Sequence, residues 1–510
     1  MARRSLTFVL AALLVIFAAV GAGAQIAAAQ TLRVAIGADA VSLDPHQTND
    51  QPSSQVMRQI YDTLIVQTED LELVPGLAVS WTQLSDLEWE FKLREGVKFH
   101  NGETFTARDV KFTFERMLNP PPGVAATAAF LIDGIVDEIE IVDDYTIRIK
   151  TAFPFAPLLS HLAHTALSIL NEKAVTEAGL DYGTRVVVGT GPYKFESWES
   201  GSAITLVRFD EWWGGKAHSE RIIFRPIPEN TVRAIELETG GVDIAYQLAP
   251  VDYLRLKDHP DIVISSVETL STTYIGFNAQ KPPFDDPRVR QAINYAIDKE
   301  TMVEVVYEGR AIPAKSPISA KVFGHNPDLE PYPYDPEKAR ELLAEAGYPN
   351  GFSTSIWTNE NFQRIQFAEI VQAYLAEVGI DVEINVMEWG AYLDQTAAGN
   401  HEMFILGWVT VTADADYGLY PLFHSSQYGS PGNRTFWSTP ELDELLETGR
   451  TAGDPDVRRE AYYKAQEIIA REAPWIFLLV TLDDHGLRSN IEGFVPHPAG
   501  HHRLYQVIKH

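Results

Sequence analysis

The 510-residue sequence contains no cysteine. This absence excludes disulfide bonds, thiolate metal ligands and cysteine nucleophiles. It also excludes a lipid-bearing cysteine of the kind that anchors lipoproteins to a membrane. We therefore expect the protein either to be free in a periplasm or to be held at the cell by something other than a lipid anchor.

Basic residues are scarce. The chain has 41 Lys and Arg against 70 Asp and Glu, which gives a formal net charge of −29. Nucleic acid binding requires clustered Lys and Arg, so we expect no nucleic acid partner. An anionic membrane surface is disfavoured for the same reason, and the charge is interpreted as a source of solubility.

Long apolar runs are also missing, except near the amino terminus. Arg3 and Arg4 precede an apolar stretch at 6–20, and small residues follow. This order is typical of a secretory signal peptide. The stretch is shorter than the ~20 residues of a membrane span, which disfavours the alternative of a membrane anchor. We predict a cleavable signal peptide at 1–29, with a second possible cut after Ala24, and a periplasmic or extracytoplasmic location.

The first half of the mature chain is rich in predicted strands. Alternating apolar residues at 31–37, 89–93 and 145–149 favour half-buried strands. Two further runs, at 194–198 and 204–209, flank a Ser-Gly pair and predict a hairpin.

The second half combines helices with strands. Asp286-Pro287 and Asp335-Pro336 are typical helix starts, because Asp is a good cap and Pro suits the first turn. A helix at 367–378 is followed by an alternating strand at 380–386, and 403–408 is apolar enough for a fully buried strand. The order of elements predicts an α/β fold.

Motifs of common enzymes are absent. Gly215-Lys216 is followed by Ala217, which excludes a P-loop, and His401-Glu402 lacks the second histidine of a zinc protease. No G-x-S-x-G elbow occurs. These absences do not exclude a hydrolase by themselves, because the paired carboxylates of glycosidases have no fixed spacing. Together with the family resemblance of the chain, they lead us to expect no enzymatic activity.

The histidines give no convincing metal site. His161 and His164 are one helical turn apart, and we interpret them as surface or partly buried helix residues rather than as ligands. His501 and His502 are interpreted as part of an exposed tail. We expect neither a metal nor an organic cofactor.

Short segments in a fixed order carry a resemblance that spans nearly the whole mature chain. They lie at 43–45, 59–64, 93–102, 105–110, 189–193, 287–292, 296–298, 334–336, 342–343 and 346–348. Together they resemble the family 5 bacterial extracellular solute-binding proteins, which include dipeptide, oligopeptide, glutathione and nickel binders.

The resemblance implies a two-lobed α/β fold of the periplasmic binding protein kind (type II-like, cluster C), with a ligand cleft between the lobes and a hinge-type closure. It also implies an extra subdomain in the first lobe. The expected divisions are lobe I at 30–75, 189–270 and 485–510, the inserted subdomain at 76–188, and lobe II at 277–481.

The segment 407–417 follows a predicted buried strand, at the strand end where α/β folds place ligands. In relatives, an acidic residue after the Gly-Trp pair contacts the amino terminus of the ligand. Asp414 or Asp416 matches that residue here. The alternative is a capped turn with no ligand role. Trp408 is interpreted either as a wall of the cleft or as a core residue.

Two further candidates, Tyr274 and Asn278, lie near the predicted lobe crossing. Dipeptide binders of the family use an arginine for the ligand carboxylate, shortly before the third helix. Thr358 and Asn359 lie near that place, and the register of Arg364 does not fit well. This departure disfavours strict dipeptide binding and favours longer peptides or glutathione.

The resemblance therefore implies a monomeric substrate-binding subunit that delivers a peptide or related small solute to ABC permease subunits in the inner membrane. The segments at 345–357 and 419–433 are most similar to the glutathione and oligopeptide branch. Two alternatives remain: a receptor of the same fold for chelated nickel, a sugar or an opine, and a secreted hydrolase of two-lobed build.

Overall fold

A computed structural model describes residues 31–429 and 432–510. The predicted signal peptide and both of its cleavage points lie outside the described residues. Within them, no helix has the length and apolarity required to cross a bilayer.

The strands are numbered in chain order. They are β1 (Thr31–Ile36), β2 (Ile65–Gln67), β3 (Leu73–Pro75), β4 (Ala78–Ser85), β5 (Glu88–Leu93), β6 (Val136–Asp143), β7 (Thr146–Thr151), β8 (Tyr193–Glu199), β9 (Ala203–Arg208), β10 (Arg221–Pro226), β11 (Ile244–Ala245), β12 (Ile262–Phe277), β13 (Ala311–Pro313), β14 (Ser353–Asn359), β15 (Asp381–Met387), β16 (Met403–Val409), β17 (Trp475–Arg488), β18 (Ile491–Glu492) and β19 (Ile508–Lys509).

The helices are numbered in the same way. They are α1 (Gln51–Ile60), α2 (Ala107–Leu118), α3 (Leu158–His161), α4 (Glu172–Ala178), α5 (Asn230–Glu238), α6 (Pro250–Leu256), α7 (Pro287–Ala296), α8 (Lys299–Tyr307), α9 (Pro336–Glu345), α10 (Phe362–Glu377), α11 (Trp389–Ala397), α12 (Ala415–Phe423), α13 (Pro440–Thr451) and α14 (Pro455–Glu472). Short 3-10 turns lie at Ala129–Leu131, Thr165–Leu167, Gly179–Asp181 and Ser425–Gln427.

The local signals read from the sequence form the expected elements. Asp286 caps α7 by accepting a hydrogen bond from the Arg288 amide, and Asp335 caps α9 through the Lys338 amide. The predicted hairpin forms between β8 and β9. The predicted helix, alternating strand and buried strand of the second half are α10, β15 and β16.

One large sheet runs through the molecule. Its strand order is β15-β14-β16-β12-β17-β11-β1-β10-β9-β8, and β13 pairs with β17 outside this path. A separate four-stranded sheet, with the order β4-β5-β7-β6, lies in the segment that follows β3. Strands β15, β14 and β16 therefore lie at one end of the large sheet, and β1, β10, β9 and β8 lie at the other.

The two ends of the large sheet are joined by the long strands β12 and β17, which we call the crossing strands. Their first paired stretch, from Ile262↔Arg488 to Glu268↔Leu482, adjoins β11. The second stretch starts at Thr272↔Val480 and adjoins β16. The register shifts between these stretches, so the ladder is interrupted where the chain passes from one end to the other.

Separate hydrophobic cores lie on the two sides of this interruption. Leu32, Val34 and Phe224 share the first core with Leu504 and Val507 of the carboxyl-terminal segment. A second core contains residues of α7, α9, α10 and β16, namely Val289, Leu343, Phe367 and Met403. The four-stranded sheet has a core of its own, in which Phe91, Phe114 and Ile149 are fully buried. We refer to the regions around the first two cores as the first and second lobes.

The interpretation of one histidine pair as surface or partly buried and of the other as an exposed tail is wrong, because all four side chains are buried. His161 and His164 are 2% and 5% exposed, and the Nδ1 atom of His161 lies 2.9 Å from the carbonyl oxygen of Leu131. His501 and His502 are also buried, because the carboxyl-terminal segment packs against the first core instead of extending into solvent.

Candidate ligand-binding site

A cleft of about 540 Å³ lies between the two lobes, where the crossing strands change register. Its walls come from both lobes, and its floor comes from the crossing strands. The first lobe contributes Gly37, Gln51, Gln55, Arg233 and Gln247, the second contributes Tyr307, Arg310, Arg364, Trp389 and Gly407, and the crossing strands contribute Thr269, Ser271, Thr273, Thr481, Asp483 and Asp484.

Asp483 is a half-buried carboxylate on the floor of this cleft. Its Oδ2 atom accepts a hydrogen bond of 2.9 Å from the Nε2 atom of Gln247. Burial raises the pKa of Asp483 to about 6, the charge of Asp484 adds to the rise, and the Gln247 hydrogen bond opposes it. Among the described residues, no Lys, Arg or His nitrogen lies within 4 Å of this carboxylate.

The neighbouring carboxylate, Asp484, differs from Asp483 in having a cationic partner. Its carboxylate accepts hydrogen bonds from both Nε and Nη2 of Arg310 and from the Ser266 hydroxyl. The Arg310 guanidinium also lies 4.0 Å from the centre of the Tyr253 ring. Asp484 and Arg310 therefore neutralise each other and brace the crossing strand against the second lobe.

Arg364 is a cation of the cleft that has no carboxylate partner among the described residues. It lies in the first turn of α10, where its Nη1 atom donates 2.8 Å to the Oδ1 atom of Asn359. Its guanidinium is 5.7 Å from the centre of the Trp389 ring. Within 31–429 and 432–510, no carboxylate oxygen lies within 4 Å of it. This charge is therefore held in place by neutral groups and faces the cleft.

Gly407 leaves room beside this arginine. A Cβ atom at this position would lie 3.4 Å from Nη2 of Arg364 and 3.1 Å from the carbonyl oxygen of Thr272. Contacts of that length are tight, so a side chain at 407 would crowd the guanidinium. The glycine of the Gly-Trp pair thus leaves space around the cation.

Tyr307 lies within electrostatic range of both charges. Its pKa is raised to about 12, mainly by burial; Arg364 opposes this rise and Asp483 contributes to it. Both unpaired groups therefore act on one ring in the wall of the cleft.

Arg233 lines the cleft but has no donor to offer. Its Nε donates to the carbonyl of Tyr246, its Nη1 to those of Ile227 and Pro228, and its Nη2 to Asn230 and to the carbonyl of Gln247. A guanidinium has five N–H groups, and all five have an acceptor here. Arg233 therefore fixes the loop that carries Gln247.

The structure gives both predicted acidic residues partners within the protein. Asp414 caps α12 and forms a pair with Arg458, in which both oxygens accept from Nη2 at 2.7 and 2.8 Å. Asp416 lies 3.1 Å from Nε of Arg450 and 3.4 Å from Nε2 of His161. Burial raises the pKa of Asp416, but Arg450 and His161 outweigh this effect and hold it below its ordinary value.

Asp416 lines a second cavity, of about 250 Å³, between the four-stranded-sheet region and the second lobe. Phe130, Phe153, His161 and Arg450 also line it. Neither Asp414 nor Asp416 lines the 540 Å³ cleft.

The three remaining candidates are engaged in the surrounding structure. Trp408 donates from Nε1 to the carbonyl oxygen of Tyr417 at 2.9 Å. Tyr274 stacks on Trp475 with ring centres 3.3 Å apart. Asn278 donates to the carbonyl of Gly399 at 2.9 Å. Ligand binding by these residues and by the two aspartates stays a prediction.

The sequence alone does not single out Asp483, and the register of Arg364 disfavours it as a ligand-binding residue. One signal for Asp483 was visible, because Asp483 and Asp484 interrupt an otherwise apolar run at 475–482. Carboxylates inside a buried strand need partners, so such a pair marks a functional position or an ion pair. The family pattern predicts an arginine before the helix, whereas Arg364 lies within the first turn of α10.

Among the described residues, no group of three or more His, Cys, Asp or Glu side chains is arranged to hold a metal ion. The cleft presents charged and polar side chains in a partly desolvated space. Such a space binds small charged molecules through hydrogen-bonded ion pairs.

Comparison with known proteins adds a family and close relatives. The model of the bacterial extracellular solute-binding proteins, family 5 Middle, matches residues 72–430. The chain is 35% identical over 460 residues to the glutathione-binding protein GsiB of Pectobacterium atrosepticum, a match that covers 88% of each chain. It is 33% identical over 491 residues to GsiB of Salmonella typhi, covering 94% of this chain and 95% of that one.

Solved structures share the fold. The ABC transporter-associated periplasmic binding protein DppA from Helicobacter pylori, in complex with the peptide STSA, superposes with a TM-score of 0.86 at 34% identity, over 94% of this chain and 98% of that one. A dipeptide binding protein from a Pseudoalteromonas species, in complex with Met-Leu, gives a TM-score of 0.88 at 26% identity, over 94% and 100%. The predicted two-lobed α/β fold with a cleft between the lobes is confirmed.

Proposed function

Because the chain belongs to family 5 of the bacterial extracellular solute-binding proteins, we propose that it is the substrate-binding subunit of an ABC importer. It captures a peptide or a glutathione-like solute in the cleft between the lobes. Closure of the lobes then encloses the solute, and the loaded protein delivers it to a membrane permease.

The main structural support for this proposal is the position of Arg364 in the cleft. A guanidinium that faces a cleft without a carboxylate partner provides a paired set of N–H donors for a carboxylate of the solute. Every peptide with a free carboxyl terminus has such a group, and so does glutathione. Asn359 and Trp389 hold the guanidinium in position before the solute arrives, which reduces the entropy cost of binding.

The size of the cleft favours a compact solute. Its volume of about 540 Å³ lies within the range of roughly 300–1,000 Å³ that is typical of small-molecule sites. The names of the relatives are consistent with a compact solute, since two at 33% and 35% identity are glutathione-binding proteins and one at 34% identity is bound to a tetrapeptide. We therefore place glutathione and short peptides ahead of long peptides.

The protein acts outside the cytoplasm, as a monomer without catalytic activity of its own. The signal-like pattern at 1–29 supports export, and the net charge of −29 supports solubility. The boundaries of the lobes are proposed to follow the divisions predicted from the sequence. The carboxyl-terminal segment belongs to the first lobe, since Leu504 and Val507 share its core.

A thermal-shift screen tests the proposed function. The mature chain is heated in the presence of glutathione, di- to tetrapeptides, nickel-histidine, oligosaccharides and an opine. A solute at 100 times its dissociation constant should stabilise the folded state by about 2.7 kcal/mol. We expect shifts with glutathione or peptides. A shift confined to the nickel chelate, the sugars or the opine would contradict the proposal.

A further inference from the structure

Five buried histidines lie together where the carboxyl-terminal segment meets the four-stranded-sheet region and the crossing strand β17. We call them the histidine cluster, and they are 0–5% exposed: His164, His485, His497, His501 and His502. The ring centres of His485 and His502 are 4.5 Å apart, and those of His497 and His501 are 5.4 Å apart. His501 also lies within electrostatic range of His164. The cluster therefore joins three parts of the chain that are distant in sequence.

Every ring of the histidine cluster accepts a hydrogen bond at Nδ1. The donors are the Arg58 guanidinium and the backbone amides of Ala166, Gln247, His497 and Ala499, at 3.0–3.4 Å. A guanidinium or amide N–H can only donate, so Nδ1 carries no proton in any of these rings. The folded cluster thus requires neutral imidazoles, because a proton on Nδ1 would break the contact that holds the ring.

The groups around the cluster also oppose a positive charge on it. Arg58 repels a proton on His164, His497 and His501, and Arg503 repels one on His497. The other titratable groups that face the cluster are His161 and Tyr417 beside His164, Tyr246 beside His485 and His502, Asp484 next to His485 in β17, and the carboxylates Asp62 and Glu69 on the far side of the two arginines. Within 31–429 and 432–510, no carboxylate oxygen lies within 4 Å of a ring nitrogen of the cluster.

Burial is the main reason why the rings stay neutral. It lowers the pKa of His164, His485 and His497 to about 3, and it holds the pKa of His501 and of His502 well below the ordinary value. An unfolded histidine titrates near 6.5. The stabilising contribution of the cluster is therefore complete above about pH 6.5 and is lost as the pH falls. Between about pH 7.5 and pH 5, each ring that becomes exposed raises the equilibrium constant for its release about 30-fold.

The carboxyl-terminal segment that carries three of these histidines also forms part of the cleft wall. Pro498 lines the cleft. Its carbonyl oxygen accepts a hydrogen bond of 3.0 Å from the Leu270 amide, in the crossing strand β12 where the ladder is interrupted. Gly500 packs against Gln51, another residue of the cleft, and a Cβ at 500 would lie 2.0 Å from Nε2 of Gln51. Release of the segment would therefore remove part of the wall of the cleft.

We propose that the histidine cluster is an acid-sensitive switch, which releases the carboxyl-terminal segment from the crossing strands below about pH 6 and so lowers the affinity of the cleft for its solute. This inference goes beyond the proposed function, and only its last step, the loss of affinity, rests on that function. At neutral pH the Nδ1 acceptors hold the segment in place. Acid favours the released form, because only the exposed rings bind protons.

Hydrogen exchange of the mature chain, measured by mass spectrometry without solute, tests the release. The amides of His497, Ala499 and Leu504 donate hydrogen bonds in the folded segment, so their exchange reports its opening. The opening constant is followed from pH 7.5 to pH 5, after correction for the intrinsic exchange rate. Below pH 6 its logarithm should rise by about five units per pH unit, because release allows every ring of the cluster to bind a proton.

Two substitutions each remove one titrating ring. His497→Asn and His502→Asn place an amide oxygen close to the position of Nδ1, so the acceptor is kept. Each single variant should take up about four protons on release, and the double variant about three. His218→Asn is the matched control, because His218 is exposed and lies outside the cluster, and it should match the wild type. The single variants test the same ring count independently, so one of them is sufficient if the other does not fold.

Titration calorimetry at pH 7.5 and pH 5, with glutathione and with the tetrapeptide Ser-Thr-Ser-Ala, measures the effect on binding. The wild-type affinity should fall at least about 10-fold at pH 5, and the double variant should lose less, because the apparent affinity scales with the fraction of closed protein.

An uptake of one proton or less by the wild type, or an equal uptake by the wild type and the single variants, would overturn the switch. Release of the segment without loss of affinity would overturn its coupling to the cleft. Absence of binding by the wild type at pH 7.5 would contradict the proposed function alone, since hydrogen exchange is measured without solute.

Discussion

Replacing Arg364 with glutamine removes the proposed partner of the solute carboxylate. The side chain is half-buried, its Nη1 donates to Asn359, and its guanidinium lies 5.7 Å from the centre of the Trp389 ring. Glutamine keeps a hydrogen-bond donor and much of the aliphatic stem but loses the charge. The fold should tolerate this change, because no carboxylate of the described residues depends on Arg364.

The expected loss of binding follows from the partial burial. Removing one member of a desolvated, hydrogen-bonded charge pair costs about 2–5 kcal/mol. Arg364 is open to the cleft in the free protein, so we place the loss near the lower end, at about 2–3 kcal/mol. The dissociation constant should therefore rise by roughly 30- to 150-fold.

Titration calorimetry with glutathione and with a tetrapeptide measures this change. Arg288→Gln is the matched control, because Arg288 is exposed, pairs with Asp286 and does not line the cleft. A carboxyl-terminal amide of the tetrapeptide should bind weakly to the wild type and without further loss to Arg364→Gln. Wild-type affinity in the variant, or equal binding of acid and amide by the wild type, would refute the reasoning.

Two further predictions concern stability. Asp414→Asn leaves the buried Arg458 without its carboxylate, so the free energy of unfolding from urea titration should fall by about 3–5 kcal/mol. Asp456→Asn, in an exposed pair, should change it by less than about 1 kcal/mol. Loss of solute binding by Asp414→Asn at an unchanged urea midpoint would favour the ligand role that the sequence predicts. Burial lowers the pKa of His485 to about 3, whereas an unfolded histidine titrates near 6.5. Its stabilising contribution is complete above about pH 6.5 and is lost as the pH falls, by about 2 kcal/mol at pH 5. His485→Gln should therefore lose less stability than the wild type between about pH 7.5 and pH 5, while His218→Gln, an exposed control, should match the wild type. An equal loss in His485→Gln and the wild type would contradict the effect.

Local signals were sufficient for most of the elements. An Asp-Pro pair defines a helix start by capping chemistry that needs no distant partner, as at Asp286 and Asp335. Alternating apolar residues likewise identify β15 and one face of β9. The family pattern supplied the two-lobed arrangement that these local rules do not contain.

The side chains of the site meet through contacts between residues that are far apart in the sequence, and local sequence patterns do not predict such contacts. Asp414 and Asp416 follow the end of β16, as expected, at the cap and in the first turn of α12. Their partners Arg458 and Arg450 come from helices more than thirty residues further along the chain. Asp483 meets Gln247 only because β17 crosses between the lobes. No local pattern indicates which of several aspartates remains without a counterion.

The histidines show the same limit. A His-His pair close to the carboxyl terminus reads as an exposed tail, yet His501 and His502 are buried. Leu504 and Val507 enter the core of β1 and β10, and this packing draws the histidines inward. The two histidines are therefore buried because the residues that follow them enter the core, although the pair itself is polar.

A calorimetric titration of the wild-type mature chain with glutathione and with short peptides tests the central claim most directly. The account predicts saturable binding of one solute per chain, weakened both by acetylation of the α-amine and by amidation of the carboxyl terminus. Absence of heat with every peptide and with glutathione, together with saturable binding of a nickel chelate, sugar or opine, would contradict it.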